Sequence, residues 1–386
     1  VPVLPLDSAL EFAPEHDAEF FASLPARPAV FLIEPASPAA RPFLSRTADL
    51  RRRLERLLGV PDTPSRRLNL RELAARVRYR LTGSPFEQSL LLYECARKVH
   101  PARYRDFLRL RHPALLKLNL RSEYPRCYVT RRVLADGALY VGPFASRRSA
   151  NALAREFLNF FKLRRCQIRI RRDPAFPGCI YSELKMCLAP CFAGCTKAEY
   201  DAEVVRLREF LESCGASLEA QWATERDAAS EALDFERAAL LHGRMEKLAG
   251  VLRAWPELPR EISRLDALLV QPAAEPQAVA LFRVRGGFLD APRLLRFAEL
   301  QSEPRSVEQL LRDLLNESPL SPAGTRDVRD LSDHLSLLAR WYYGKPRIGE
   351  IYFPQTSRRT GQFDWPYRRI IRGCSKILGA APAPPA

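Results

Sequence analysis

No stretch of this chain approaches the roughly 20 consecutive apolar residues needed to cross a bilayer. Nor does the N-terminus carry a basic segment followed by a long apolar core, so the sequence predicts no signal peptide and no membrane partner. A cytoplasmic location is the resulting expectation. In a reducing cytosol, nine cysteines are not expected to pair as disulfides. The first 26 residues also lack Lys and Arg while holding Asp7, Glu11, Glu15, Asp17 and Glu19. The net charge of +16 therefore sits further along the chain, and basicity of that size predicts attraction to a polyanion, nucleic acid first. What remains is ordinary for a soluble protein: 386 residues, 47% hydrophobic and 27% charged, enough for two or three domains.

Along the chain, 1–22 reads as an acidic arm without strong order. Ala29–Ile33, bounded by prolines, predicts a strand, with 41–44 as its hairpin partner. The sequence TADLRRRLERLL (47–58) predicts a helix capped by Thr47 or Asp49, with Leu50, Leu54, Leu57 and Leu58 on one stripe. A turn is expected over 61–64, then helices over 70–81 and 86–99, split by Gly83-Ser84-Pro85. Residues 124–133 and 137–141 suggest a hairpin turning at Asp136-Gly137. Helices are expected over 149–161, 198–212 and, as a pair, 216–255, with Asp234 capping the second of that pair. Strands come next at 267–270 and 279–284, then helices at 306–316 and 328–341, and a linker-like tail at the end.

The densest chemistry lies in the middle. Cys166, Cys179, Cys187 and Cys191 are separated by 13, 8 and 4 residues. Four converging thiolates suit a soft metal, either tetrahedral zinc or an iron–sulfur cluster, and spacing does not choose between them. FKLRRCQIRIRRD (161–173) surrounds the first of these cysteines with six basic residues. Arg164, Arg165, Arg169, Arg171 and Arg172 are its candidate phosphate contacts.

YPRCYVTRR (124–132), YVGPFASRRSA (140–150), the spaced cysteines and LAPC (188–191) together resemble the UvrC family, the incision subunits of bacterial nucleotide excision repair. ALDFERAALLHGRMEKL (232–248) resembles that family's UVR motif, which docks on UvrB. The resemblance runs over roughly 24–355. It implies that Cys166, Cys179, Cys187 and Cys191 hold an iron–sulfur cluster, with zinc as the alternative, and that Cys195 is a bystander. It implies contacts to damaged duplex DNA through Arg46, Arg131, Arg132, Arg147 and Arg148 besides the strip above. It also implies UvrB docking through Phe235, Glu236, Ala238, Ala239, Leu241, Met245 and Leu248.

Two departures from the family pattern bear on activity. The N-terminal nuclease of the family has the GIY-YIG fold, but Ala29-Val30-Phe31 and Phe43-Leu44-Ser45 stand where its two tyrosine motifs are expected. Arg46 takes a Lys position and Arg53 matches the catalytic Arg. Tyr93 stands where the metal-binding Glu is expected, with Glu94 next to it. Such a site needs a phenol, an Arg and a carboxylate, so Arg53, Tyr93 and Glu94 are its only candidates, and Mg²⁺ or Mn²⁺ is expected only if it works. At the other end, VALFRVRGG (279–287) and the helices after it resemble the lead-in to an RNase H-like nuclease. Beyond residue 355 the only acid is Asp364. The expectation is a chain without that nuclease or the helix-hairpin-helix module.

The fold class expected is α+β and multi-domain. It comprises an arm (1–22), a degenerate GIY-YIG-like domain (23–112), a cysteine-rich domain (113–215), a UVR helical hairpin (216–256), a truncated lead-in (257–378) and a tail (379–386). The functional expectation is a UvrC-like repair protein that binds DNA and UvrB with incision lost or weak. An active GIY-YIG endonuclease and a protein-interaction module without a DNA role are the alternatives.

Overall fold

A computed structural model describes residues 4–60, 68–300, 305–316, 327–356 and 363–380. The turn expected at 61–64 and most of the tail lie outside the described residues. The architecture is α+β with several sheets, as the sequence predicts.

The first unit is a four-stranded antiparallel sheet between two helical layers. Its elements are β1 (Ser8–Glu11), α1 (Asp17–Ser23), β2 (Ala29–Pro35), β3 (Phe43–Thr47), α2 (Leu50–Leu58), β4 (Ala74–Leu81), α3 (Pro85–Val99) and α4 (Tyr104–Leu108). The strand order is β1-β4-β2-β3. The unbroken apolar run in β2 is needed because both of its faces are covered. Ala29, Phe31 and Ile33 pack with Phe20 of α1 and the leucine stripe of α2, whereas Val30 and Leu32 meet Leu91, Leu92 and Cys95 of α3. Asp49 caps α2 by accepting the Arg52 N–H at 3.0 Å.

Two expectations are corrected here. Residues 70–81 are not a helix: AARVRYRL alternates with period two and forms the central strand β4. The acidic segment is not a loose arm either. Its β1 pairs with β4, and Phe12, Phe20 and Leu24 are buried. Its acids meet the arginines around β4: Asp17 with Arg71 at 2.7 Å, Glu11 with Arg76 at 2.6 Å and Asp7 with Arg80 at 3.8 Å. Charge complementarity fixes a segment that composition alone makes look unattached.

The second unit contains β5 (Ala114–Leu118), β6 (Cys127–Thr130), β7 (Leu139–Phe144), α5 (Arg147–Leu158), α6 (Ile180–Glu183), α7 (Lys197–Glu212), α8 (Ala216–Glu231), α9 (Phe235–Ala254) and β8 (Arg260–Glu261). The order β6-β5-β7-β8 corrects the expected hairpin, because β5 lies between the two strands and pairs with both. Asp136, the expected turn residue, instead forms an ion pair with the buried Lys117 of β5. The α8–α9 hairpin shares one core with this sheet. Trp222, Leu241, Leu248 and Val251 join Phe157, Phe161 and Phe210. Phe210 meets Phe157 at 5.4 Å and Phe161 at 5.3 Å between ring centroids.

The third unit holds β9 (Ala267–Pro272), β10 (Ala278–Arg285), β11 (Phe288–Leu289), β12 (Arg293–Arg296), α10 (Phe297–Leu300), α11 (Val307–Asn316), α12 (Val328–Tyr343), β13 (Glu350–Tyr352), a small pair β14 (Gln355–Thr356) and β15 (Phe363–Asp364), and α13 (Tyr367–Ala380). One face of its antiparallel sheet packs on α11 and α13, the other on α12. That second face also receives Phe86, Leu90 and Tyr93 of α3. Phe86 lies edge-on to Phe282 at 5.0 Å and beside Trp341 at 5.5 Å.

Helix α3 thus belongs to two cores. Replacing Phe86 with alanine should cost about 3–5 kcal/mol of local stability. Native-state hydrogen exchange should then speed up in α3, β10 and α12 while the α7–α9 amides keep their protection. Uniform loss of protection across all three units would contradict this account.

Candidate nucleic-acid interface and cysteine centre

The cysteine segment is a loop knot tied to α7. Tyr200 and Glu203 are buried on that helix. The Tyr200 hydroxyl donates to Pro125 O at 2.8 Å and accepts the Arg164 N–H at 3.2 Å, while Glu203 accepts the Lys162 N–H at 2.6 Å. The Leu188 N–H donates to Lys162 O at 3.0 Å and the Asp173 N–H to Cys191 O at 2.9 Å, which folds the segment back on itself. Left-handed residues at Gly178, Lys185, Ala189 and Ala193 make the tight reversals.

Cys166, Cys179, Cys187 and Cys191 lie near enough to act on one another electrostatically. Burial pushes the Cys187 thiol up to about 11; Cys166, Cys191 and Cys179 push the same way, against the Ala189 N–H, which donates to the Cys187 sulfur at 3.3 Å. Burial also raises the Cys191 thiol, with Cys179 and Cys166 as its cysteine neighbours. Cys195 is buried and raised by burial and then Glu199, and Cys191 is the one cysteine acting on it. All nine cysteines are free thiols. Among the described residues, no group of three or more His, Cys, Asp or Glu side chains is arranged to hold a metal ion. Four thiols are a donor set that suits a soft metal in its chemistry, but as they stand the sulfurs form no coordination shell.

The basic strip divides into two kinds of arginine. Arg164 donates to Tyr124 O at 2.8 Å and Ile168 O at 2.7 Å. Arg165 donates to Leu158 O at 2.9 Å and Asn159 Oδ1 at 3.0 Å, and burial lowers its basicity. Arg172 donates to Cys195 O at 3.0 Å. These three brace the knot. Arg169 and Arg171 are exposed beside it, as are Arg131, Arg132, Arg147, Arg148 and Arg46 elsewhere. The exposed set is the part of the predicted interface free to meet phosphates.

The three catalytic candidates are not brought together. Arg53 lies half-buried on α2, on the side of the sheet where Phe31 and Phe43 pack 6.2 Å apart. Tyr93, 1% exposed, points away into the third unit between Tyr104 at 6.0 Å and His334 at 5.5 Å. Its hydroxyl accepts from Arg97 at 3.1 Å, and burial pushes its phenol far above the ordinary range. Glu94 is half-buried, and burial raises its carboxyl against the pull of Arg80, Lys98 and Arg97. A phenol that the sequence reading missed does lie near Phe31. Tyr79 is opposite it on β4 and packs on the same core. Reading 70–81 as a helix hid it.

The hairpin candidates also divide. Leu241 and Leu248 are core residues, and Met245 packs against that core, so they hold α9 in place. Phe235, Glu236 and Ala239 are exposed and Ala238 is half-buried. Near the turn between α8 and α9, Leu233, Phe235 and Leu240 are large apolar residues left 72%, 66% and 60% exposed. Leu233 and Leu240 were not among the predicted partner contacts.

Glu94→Gln should raise the thermal midpoint at neutral pH and leave it unchanged in acid. The folded carboxyl titrates above its unfolded value, so wild-type stability falls as pH rises from the ordinary Glu range through the folded one. The amide removes that fall. Equal midpoints for the two proteins at all pH values would show that the carboxyl is solvated.

Residues 114–210 match the family model of the UvrC/Cho excinuclease middle domain. The chain is 27% identical over 308 residues to UvrABC system protein C of Geobacter sp. (strain M21), covering 78% of this chain and 46% of that relative. The homologous protein of Trichlorobacter lovleyi is 29% identical over 282 residues, 71% of this chain and 45% of the relative. That of Desulfatibacillum aliphaticivorans is 26% identical over 281 residues, with 71% and 46% covered. The chain thus spans about half the length of the curated relatives it matches. No solved structure matches it, and no helix among the described residues is long and apolar enough to cross a membrane. The chain is UvrC-like, and residues 114–210, the cysteine knot with its sheet and anchoring helix, are the part that the family model describes.

Proposed function

We propose that this protein is an excision-repair adaptor that binds damaged duplex DNA through exposed arginines, docks on UvrB through the tip of the α8–α9 hairpin, and has lost most or all incision activity. The observation that carries this reading is the separation of Arg53, Tyr93 and Glu94 into three environments. General-base catalysis on a phosphodiester needs the base, the cation and the metal-holding carboxylate within reach of one phosphate. The exposed Leu233, Phe235 and Leu240 near one hairpin turn favour a partner there, since covering large apolar side chains is favourable. Cys166, Cys179, Cys187 and Cys191 are the proposed ligands of an iron–sulfur cluster, zinc being the alternative. When bound, such a group supplies a rigid four-point tie across the knot.

A second reading is favoured by Tyr79. A phenol beside Phe31, on the side of the sheet that carries Arg53, would allow a single Mg²⁺- or Mn²⁺-dependent nick from a rebuilt site.

Incubating the protein, purified without air, with a damaged duplex preloaded with UvrB and either Mg²⁺ or Mn²⁺ separates these readings. The adaptor reading expects retention on the UvrB–DNA complex without nicking. It also expects Phe235→Ala to weaken retention by roughly tenfold or more. Nicking that disappears in Arg53→Ala would establish the nuclease reading instead. In the same preparation, iron, sulfide and a brown colour are expected, all lost in Cys187→Ser. A colourless, zinc-loaded protein would overturn the cluster.

A further inference from the structure

A cleft of about 360 Å³ opens between the first unit and α12, away from the cysteine knot. Its walls include Arg46, Ser89, Phe107, Arg109, Leu337 and Arg340, and no carboxylate lines it. Arg46, Arg109 and Arg340 have no ion-pair partner among the described residues. On the neighbouring helices Asp333 pairs with Arg105 at 3.0 Å and Asp330 with Arg97 at 2.8 Å, while Asp106 of α4 is exposed and does not line the cleft.

Two of these arginines, Arg46 and Arg340, are held in place by hydrogen bonds. Arg46 donates to Ser89 Oγ at 2.9 Å, and Arg340 donates to Arg109 O at 2.6 Å, bracing the left-handed turn that ends α4. Burial, with Arg46 and Arg111 nearby, lowers the basicity of Arg340, so like charges face one another in the cleft. An anion would relieve that repulsion. At the rim, Phe107 is 43% exposed and packs at 5.3 Å against His100. Leu92, Leu108 and Leu337 add apolar surface.

Fixed guanidiniums next to an open aromatic ring suit a phosphate joined to a flat base. A duplex hides its base faces in the stack, whereas a single strand offers both groups at once. The volume falls at the lower end of the range for small-ligand sites, which suits one nucleotide and not a helix.

We propose that this cleft seats one unpaired nucleotide of a DNA strand, with its phosphate on Arg46, Arg109 and Arg340 and its base against Phe107. The proposal rests on the DNA-binding reading above and adds a preference for locally opened DNA.

The test is the affinity of the full chain for a fluorescent short oligothymidylate and for a blunt duplex, over a series of salt concentrations. Phe107→Ala should weaken oligothymidylate binding by roughly tenfold and leave duplex binding unchanged. Arg109→Ala, at an exposed side chain, should reduce the salt slope for the oligomer by about 0.7. Thermal midpoints equal to the parent's would exclude misfolding as the cause. Parent-like oligomer binding in both variants, with duplex binding still salt-dependent, would overturn the cleft and leave the DNA reading intact. Salt-independent binding of both DNAs would overturn both. Displacement of the oligomer by thymidine monophosphate at equal nucleotide concentration would identify a free mononucleotide as the ligand and overturn the strand assignment.

Discussion

The double burial of α3 is the constraint on which the arrangement of this molecule depends. Leu91, Leu92, Cys95 and Ala96 face the sheet of the first unit, while Phe86, Leu90 and Tyr93 face the third. A surface helix shows one apolar stripe, and this one shows two because it is walled on both sides. Its position brings α12 against the first unit, creates the cleft beneath Arg340, and turns residue 93 away from Arg53. Several features that look separate along the chain arise from this one packing choice.

Arginine does two different jobs here. With 61 basic residues against 45 acidic ones, a uniformly repulsive surface would be the naive expectation. Many guanidiniums instead bind backbone carbonyls or carboxylates: Arg164, Arg165 and Arg172 in the cysteine knot, and Arg71, Arg76 and Arg80 against the acidic N-terminal segment. The planar fork of arginine suits this bracing better than an ammonium would. What is left over for a polyanion is a smaller set, distributed between the edge of the knot, the start of α5 and the α12 cleft.

Much of this was legible in the sequence wherever period and punctuation agreed. Asp49 and Asp234 announce helix starts and cap them as expected, Ser84 in the expected break caps α3, and the apolar runs at 29–33, 267–270 and 279–284 are strands. Legibility failed where charge obscured periodicity. In RVRYRL the alternation is carried by arginines that pair with acids far earlier in the chain, Arg76 with Glu11 and Arg80 with Asp7, so a hydrophobicity pattern reads it poorly. The strand at 114–118 was missed because its partners flank it in space and not in sequence. At the candidate sites, residue type was readable but direction was not. Whether Arg164 meets a phosphate or Tyr124 O, and whether Leu241 faces a partner or Trp222, depends on tertiary packing that no local pattern encodes.

Residue 93 shows how residue type and interface packing are linked. The resemblance places a metal-binding glutamate there, but in this fold the position is closed off beside Asp330 and Asp333, both of which already act on Tyr93 electrostatically. A carboxylate in that position would meet two like charges in a poorly solvated space, with Arg97 already committed to Asp330 at 2.8 Å. A phenol has no such conflict. It stays neutral, accepts one hydrogen bond from Arg97, and supplies a ring to Tyr104 and His334. The packing of α3 against α12 and a neutral ring at 93 therefore suit each other. A glutamate at 93 would give up the ring contacts with Tyr104 and His334 and add a third carboxylate beside Asp330 and Asp333, so it would loosen the contact that positions the helix carrying it.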